Sequence, residues 1–407
     1  MSDLEAAFRP ESPAFYQGDA DACFRRLRAE DPLHWHEPGR FWSVTRHADV
    51  QSVSQRPKRF SSERGTQLFE VLRRARGETA LGPMEQVSLS ADTIIRMDPP
   101  RHNRHRKLAI GAFTPRRIAM LEPRVREIAK HSLDALESGA PVDFVEGVAI
   151  PMPMLVIAEM LGVPSGDFAD FRRWSDAMIE AGGGDFTPET VSVVAELMQY
   201  VLAVATERRK RPGDDLISVL VQAEVDGERL GDAEVGMFCL TLLVAGNETT
   251  RNLVSGGALA LLRHPDQLAK LVADPGLLPN AVEEMLRYVS PVRNFARTAT
   301  ADVDLCGKRV AEGDSLVLFY ASANRDEAVF GADSDAFDIE RATADRHVAF
   351  GFGEHFCMGA SLARMEARVM FEEFLARWPH FALAGEPEPL LSSLMNGLVH
   401  LPVRLGT

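Results

Sequence analysis

Apolar residues recur with the period of an α-helix along most of the chain. The helical period is strongest in five segments, and helix breakers such as Pro265 and Pro291 stand near their ends. These segments are residues 114–137, 191–210, 232–262, 276–289 and 359–378. The pattern therefore predicts that α-helix makes up most of the structure.

Strand signals are short and few. Alternating or β-branched runs bounded by turn residues predict strands at 33–44, 297–310, 315–318 and 399–404. The chain has no internal repeat or Gly/Ser linker, and a loose stretch at 181–185 with three consecutive glycines predicts a mobile loop. We expect one domain over residues 1–407, mainly α with a small β-rich lobe and without a fused reductase.

Composition limits the class of protein and its compartment. With 407 residues and 45% hydrophobic content, the chain can bury a large core. The longest strongly apolar stretch, residues 237–246, is about half the length that spans a bilayer. Asp3, Glu5 and Arg9 interrupt the N-terminus, so we expect no signal peptide or membrane anchor and a cytoplasmic protein. The net charge of -14 argues against a nucleic-acid partner.

One of the four cysteines stands in unusual surroundings. Cys23, Cys239 and Cys306 lie far apart and form no CxxC pair, which argues against a zinc site or a disulfide framework. Cys357 instead lies in a Gly-rich loop directly before the helix predicted at 359–378. The N-terminal end of a helix stabilises a thiolate, which suits a soft anionic metal ligand. The alternative is a structural cysteine in a Gly-rich turn.

The cysteine loop reads Phe350-Gly351-Phe352-Gly353-Glu354-His355-Phe356-Cys357-Met358-Gly359. It resembles the heme-binding loop of the cytochromes P450, Phe-Gly-x-Gly-x-His-x-Cys-x-Gly, at every fixed position. The resemblance implies the cytochrome P450 fold, with heme b (iron protoporphyrin IX) between the long distal helix and the cysteine-loop helix. It also implies that Cys357 ligates the iron and that His355 reaches a heme propionate. The other heme-contacting residues that it implies are Phe350, Gly351 and Gly359. A thiolate ligand favours O–O cleavage and hence oxygen activation.

The long predicted helix contains a locally unfavourable hexapeptide, Ala245-Gly246-Asn247-Glu248-Thr249-Thr250. Gly246 alone costs about 1 kcal/mol of helix propensity, although a helix-packing glycine beside solvent-facing polar residues would explain it. The hexapeptide resembles the oxygen-activating helix of the cytochromes P450. The resemblance implies that Ala245 and Gly246 leave room for O2, that Thr249 hydrogen-bonds to this O2, and that Glu248 carries protons to it. Its Asn-Glu-Thr-Thr-Arg-Asn form is similar to that of bacterial steroid-side-chain and terpenoid hydroxylases.

Two further groups of charged residues gain meaning from the resemblance. Glu284 and Arg287 are three residues apart on one helix face, and with Arg341 they would form a buried structural network. The resemblance also places His102, Arg106 and Arg297 beside the heme propionates, together with the loop histidine. The segment 98–106 is more basic than is usual in the family, which leaves open which of its cations face the heme.

The resemblance implies a monooxygenase that inserts one atom of O2 into a C–H bond of an apolar small molecule. A peroxide-using enzyme of the same fold and a non-catalytic heme sensor are the alternatives. The presence of Glu248 and Thr249 favours the monooxygenase, since peroxide-driven relatives carry Arg-Pro there. A steroid, terpenoid or fatty substrate fits the largely apolar segments that we expect to line the pocket. These segments are 68–90, 171–186, 242–243, 292–295 and 394–396.

Electrons would come from a separate ferredoxin-type donor, and we expect the protein to be a monomer. A cluster of basic residues contrasts with the acidic chain and comprises Arg101, Arg104, Arg106, Lys107, Arg116, Arg117, Arg364 and Arg368. Family geometry would bring these residues together on the thiolate side of the heme. A positive surface there would steer an acidic ferredoxin, whereas the alternative is an ordinary solvated face.

Overall fold

The computed structural model describes residues 3–78, 93–182, 187–225 and 227–406. Two expectations from the sequence fall partly on the remaining residues. Residues 79–90 of the first predicted pocket segment lie outside the described part, as do residues 183–186 with most of the glycine loop. The prediction of a mobile loop there is therefore not tested.

The helices of the described residues are numbered here in chain order. They are α1 Asp3–Ala7, α2 Ala20–Glu30, α3 His47–Ser54, α4 Leu68–Ala75, α5 Arg101–Ile110, α6 Pro115–Asp134, α7 Pro151–Met160, α8 Phe168–Gly182, α9 Pro188–Lys210, α10 Leu216–Gln222, α11 Asp232–Arg263, α12 Pro265–Ala273, α13 Leu278–Val289, α14 Tyr320–Ala323, α15 Glu327–Phe330 and α16 Ala360–Arg377. The five helices predicted from periodicity are confirmed as α6, α9, α11, α13 and α16. Their ends differ from the prediction by up to three residues. At α13 the later start has a visible cause, because the Asp274 side chain caps the Gly276 N–H at 2.9 Å and closes a 3₁₀ turn, Pro275–Leu277, ahead of the helix.

The strands are short, as the sequence predicts. They are β1 Leu33–His36, β2 Phe41–Val44, β3 Phe60–Ser61, β4 Pro141–Asp143, β5 Glu224–Val225, β6 Glu228–Arg229, β7 Asn294–Ala299, β8 Val303–Leu305, β9 Lys308–Val310, β10 Ser315–Phe319, β11 His380–Leu383, β12 Glu388–Pro389, β13 Leu398–His400 and β14 Pro402–Gly406. The strand predicted at 297–310 is divided between β7, β8 and β9. Cys306 and Gly307, with φ of 51° and 74°, make the turn that folds β8 onto β9.

The sheets form a lobe beside the helices. A five-stranded sheet has the order β1-β2-β10-β7-β3, in which β2 and β10 run parallel and the other neighbours antiparallel. A three-stranded sheet, β11-β14-β4, and three two-stranded pairs complete the β structure of the described residues. The fold class predicted from the sequence, mainly α with a small β-rich lobe, is confirmed.

Helix α11 runs through the centre of the helical core. It packs against α7, α9, α13 and α16, and apolar residues such as Val235, Leu243 and Val254 are buried along it. The Glu234 carboxylate accepts a hydrogen bond from the Gly231 N–H at 2.7 Å and so fixes the start of the helix. Among the described residues, none of the helices combines the length and apolar character required to cross a membrane.

A fully buried ion network joins α13 to the segment before the cysteine loop. Arg287 donates two hydrogen bonds of 2.7 Å to the Glu284 carboxylate, and both side chains are 0% exposed. Arg341 approaches the same carboxylate at 3.3 Å. Arg287 also donates to three backbone carbonyls, those of Asn324, Ser334 and Ala336. The network predicted from the sequence is confirmed, and these added bonds compensate the burial of its charges.

Candidate active site

The cysteine loop owes its shape to two glycines with left-handed backbone conformations. Gly351 and Gly353 have φ of 70° and 72°, a region that side chains with a Cβ rarely adopt. A Cβ on Gly353 would also come within 2.5 Å of the Ser54 carbonyl oxygen, so the loop packs directly on the end of α3. The Cys357 N–H donates to the Phe350 carbonyl at 2.9 Å and closes the loop.

Cys357 keeps accessible surface, although burial raises the pKa of its thiol. The Gly359 N–H and the guanidinium groups of Arg106 and Arg364 oppose that rise by stabilising the thiolate. Within the described residues, no three His, Cys, Asp or Glu side chains converge on a metal position. A metal bound through this single thiolate would thus need a ligand-bearing cofactor.

The other three cysteines show why Cys357 is distinct. Burial raises the pKa of Cys23 to about 11 and that of Cys239 to about 12, and no cation offsets the effect at Cys239. Burial and a hydrogen bond to Asp49 raise the pKa of Cys306 to about 12. All four cysteines are free thiols in the structure.

Four basic residues converge beside the cysteine loop. His102 and Arg106 come from one face of α5, Arg297 comes from β7, and His355 precedes the cysteine. The His102 and His355 ring centres lie 4.2 Å apart, and the His355 Nε2 atom lies 3.2 Å from the Ser62 Oγ atom. Burial, together with the nearby charges of Arg297, His102 and Arg106, lowers the pKa of His355 to about 2. The structure thus brings all four residues together.

This cluster carries positive charge without a matching anion. Burial is the main cause that lowers the pKa of Arg106 and of Arg297. Among the residues that the structure describes, neither guanidinium forms an ion pair with a carboxylate. A buried cation is stable only when it is paired, so the cluster fits a ligand with two carboxylates next to the thiol. Heme b, with an iron and two propionates, satisfies both requirements.

Two other basic residues of α5 contact acids away from the cysteine loop. The His105 Nε2 atom lies 2.9 Å from the Glu234 carboxylate and ties α5 to the start of α11. Arg104 pairs with Glu228 of β6. Both links were missed in the sequence, since their acids lie more than a hundred residues away and no local spacing reveals them.

The hexapeptide of α11 places four polar or small residues at the middle of the helix. Ala245 is exposed although the helix crosses the core, and the Thr249 hydroxyl donates to the Ala245 carbonyl at 2.6 Å. Glu248 is half-buried, and burial raises its pKa while Arg251 opposes the rise. Gly246 faces α7, where a Cβ would come within 2.8 Å of the Ile157 Cδ1 atom. Gly246 therefore allows α11 to pack closely on α7, and the room for O2 beside Ala245 and Gly246 stays a prediction.

Three of the basic residues expected to face an electron donor are held by acids. Arg104 pairs with Glu228, Arg364 donates to Glu283 at 2.6 and 2.9 Å, and Arg368 contacts Glu122 and Glu372 at 2.6 and 2.7 Å. The side chains of Lys107 and Arg116 are exposed, and neither forms an ion pair within the described ranges. The basic surface is thus smaller than the sequence suggests.

Comparisons with known proteins agree with this arrangement. The sequence pattern of the cytochrome P450 family matches residues 157–405. Linalool 8-monooxygenase of Pseudomonas putida is 37% identical over 395 residues, which covers 94% of each chain. A methyl-branched lipid omega-hydroxylase of Mycobacterium tuberculosis is 38% identical over 94% of this chain and 90% of its own. Cytochrome P450 CYP109Q5 from Chondromyces apiculatus superposes with a TM-score of 0.85 at 39% identity, covering 96% of both chains.

Fold, thiol and cation cluster together define an oxygen-activating heme enzyme. The chain belongs to the cytochrome P450 family. Members of this family bind heme b, and this protein is a heme-thiolate monooxygenase that acts on apolar molecules.

Proposed function

We propose that Cys357 is the axial ligand of the heme iron and that the enzyme hydroxylates a terpenoid, steroid or fatty substrate. The observation that carries the ligand assignment is the Cys357 thiol in its glycine loop, close to Arg106 and to the basic residues that converge with it. When bound, heme b would supply the activation of O2, for which a thiolate ligand is suited.

The protein's own residues would hold the cofactor through opposite charge and shape. The Arg106 and Arg297 guanidinium groups would pair with its two propionates, and His102 and His355, whose pKa values are lowered by burial, would donate hydrogen bonds to them as neutral rings. The Gly359 N–H would donate to the Cys357 sulfur, which stabilises the anionic thiolate without a further charge. Phe350 and Gly351 would line the same side, since they belong to the loop that the Cys357 N–H closes.

On the opposite side, Thr249 and Glu248 would handle protons. The Thr249 hydroxyl donates its hydrogen bond to the Ala245 carbonyl. Its oxygen can therefore still accept a hydrogen bond from a protonated group in the site. Glu248 has a raised pKa because it is half-buried, which keeps a proton on the carboxyl group over a wider pH range. Adjacent on one helix, the two residues form a short route for protons towards the substrate side.

An apolar substrate fits the residues that border this side. Val292 bridges Met395 in antiparallel fashion, and the Arg293 N–H donates to the Leu394 carbonyl at 2.7 Å, so two of the predicted pocket segments lie together. Phe295 is half-buried beside them, whereas Leu243 of the predicted segment 242–243 is only 1% exposed and belongs to the helical core. Relatives point the same way: besides linalool and branched-lipid enzymes, a solved structure of CYP109E1 from Bacillus megaterium contains testosterone, at 34% identity.

The purified enzyme is expected to convert at least one member of a terpenoid, steroid and fatty-acid panel to a product with one added oxygen atom. Supplied with isotopically heavy O2 and a surrogate electron donor, it should transfer the label into that product. Mass spectrometry measures the label, and omission of the electron donor is the control. Label arriving from water or from added peroxide alone would contradict a monooxygenase reaction.

Electron supply leads to a prediction about the exposed cations Lys107 and Arg116. We propose that they steer an acidic ferredoxin towards the thiolate side of the heme, where exposed Met120 adds an apolar contact. Long-range attraction between exposed charges is screened beyond ~10 Å at 0.1 M salt. Stopped-flow reduction by an acidic ferredoxin should therefore slow as salt rises, and the Lys107→Glu, Arg116→Glu double variant should be slower still at low salt.

A matched control changes the same amount of charge elsewhere. Lys58→Glu with Lys210→Glu, both exposed positions outside α5 and α6, should leave the rate close to that of the parent. Equal slowing in both double variants, or a reduction rate of the parent that does not change with salt, would contradict a role of Lys107 and Arg116 in docking the ferredoxin.

A further inference from the structure

A carboxylate behind the cysteine loop joins three elements of the fold. Glu283 of α13 accepts hydrogen bonds from the Arg364 Nε and Nη2 atoms of α16 at 2.6 and 2.9 Å, a two-pronged contact. The same carboxylate lies 3.1 Å from the His347 Nε2 atom, just ahead of the loop. The exposed fractions of Glu283 and His347 are 16% and 1%, so both are largely buried, whereas Arg364 stays 34% exposed.

Two members of this group contact Phe350, the first residue of the cysteine loop. The Arg364 Cζ atom lies 4.6 Å from the centre of the Phe350 ring, and the His347 ring centre lies 5.6 Å from it. The His347 Nδ1 atom accepts a hydrogen bond from the Ala349 N–H at 3.1 Å, so its Nε2 atom carries the proton that is donated to Glu283. Because the Phe350 carbonyl receives the Cys357 N–H, the group is coupled to the cysteine through one residue.

The group also acts on the cysteine electrostatically. Arg364 is one of the two guanidinium groups that oppose the rise in the pKa of the Cys357 thiol. Burial acts to raise the pKa of Glu283, but hydrogen bonds from His347 and Arg364 outweigh it and hold that pKa at about 2. Glu283 is therefore ionised throughout the physiological range, and a fixed negative charge balances the positive charge of Arg364 behind the thiolate.

We propose that Glu283 and Arg364 are positioning residues that set the reduction potential of the heme through a matched pair of opposite charges behind Cys357. The proposal rests on Cys357 being the axial ligand. Reduction adds an electron close to the thiolate, so a nearby cation favours the reduced state and a nearby anion disfavours it. His347 and the Phe350 ring would hold both charges in place.

A purely structural ion pair would look different in one respect that can be measured. The Arg368 pair with Glu122, one helical turn further along α16, also links two helices, but no contact of Arg368 or Glu122 with the cysteine loop is recorded among the described residues. Breaking a structural pair loosens the protein whichever partner is removed. Breaking a pair that sets a potential has opposite effects, because the charge left behind differs in sign.

The test compares the potentials of Glu283→Gln and Arg364→Gln in the heme-loaded, substrate-free enzyme by spectroelectrochemical titration. Glu283→Gln leaves an uncompensated cation and should raise the potential, whereas Arg364→Gln leaves an uncompensated anion and should lower it. The double variant should return close to the parent value, since both charges are gone. Arg364→Lys keeps the charge without the two-pronged contact and should lie closer to the parent than Arg364→Gln does.

Glu122→Gln serves as the matched control and should leave the potential unchanged. Shifts of the same sign in the two single variants, or no shift in either, would overturn the proposal. The spectrum of the reduced CO complex separates this failure from a failure of the proposed function. A parent enzyme without the thiolate band would disprove Cys357 as the ligand. An intact band, combined with reduction potentials that do not shift in opposite directions in the two single variants, would disprove only the role of Glu283 and Arg364.

Discussion

The Cys357→His variant is expected to lose the red-shifted Soret band that thiolate ligation gives the reduced CO complex. A thiolate donates electron density to the iron, whereas imidazole is neutral and a weaker donor, so the band should move to the position of histidine-ligated heme proteins. The absorption spectrum under CO after reduction measures the change directly. Product formation should fall below detection in the same variant, because the donor that favours O–O cleavage is gone.

Two further measurements make this result specific to the ligand. Heme content should drop but not vanish, since the basic residues beside the loop still offer partners for both propionates. Cys306→Ser removes a cysteine from a surface turn and should keep the band at full strength. A thiolate spectrum that survives Cys357→His would show that another residue ligates the iron.

Local sequence was sufficient for the cysteine loop because its requirements are local. The glycines before Cys357 are needed for backbone conformations with positive φ, and the sulfur must meet the N–H groups at the start of α16. Helices such as α11 were predictable for a related reason: a helical period of apolar residues that continues over many residues is compatible with few structures other than an α-helix. In these cases the residues that determine the local structure are close to each other in the sequence.

Pairings between distant segments could not be read in the same way. Glu283 cannot be told from any other acid on a helix until α16 brings Arg364 to it. In the same way, nothing near His105 in the sequence indicates that it contacts Glu234. Gly246 shows a subtler limit, because its motif suggested space for O2 while the fold uses it to seat Ile157. Motifs identify residue types, but tertiary packing determines which neighbour each residue contacts.

Thr249→Ala is expected to leave substrate binding intact and to divert most electrons from product to hydrogen peroxide. The variant loses the hydroxyl that donates to the Ala245 carbonyl beside Glu248, so a proton is no longer delivered from a fixed position. Proton transfer by a positioned side chain is worth roughly 10²- to 10⁴-fold in rate, so product per electron should fall about tenfold or more. Product, peroxide and consumed reductant are measured in the same reaction.

Two matched variants separate the role of the hydroxyl from that of the helix. Thr249→Ser keeps the hydroxyl and should retain most of the coupling. Thr241→Ala removes a hydroxyl that makes the same kind of bond on the same helix, to the Met237 carbonyl at 2.7 Å, and should leave coupling unchanged. If Thr249→Ala gave the parent's product per electron, or if Thr241→Ala lost coupling equally, the effect would belong to helix stability and Thr249 would have no part in proton delivery.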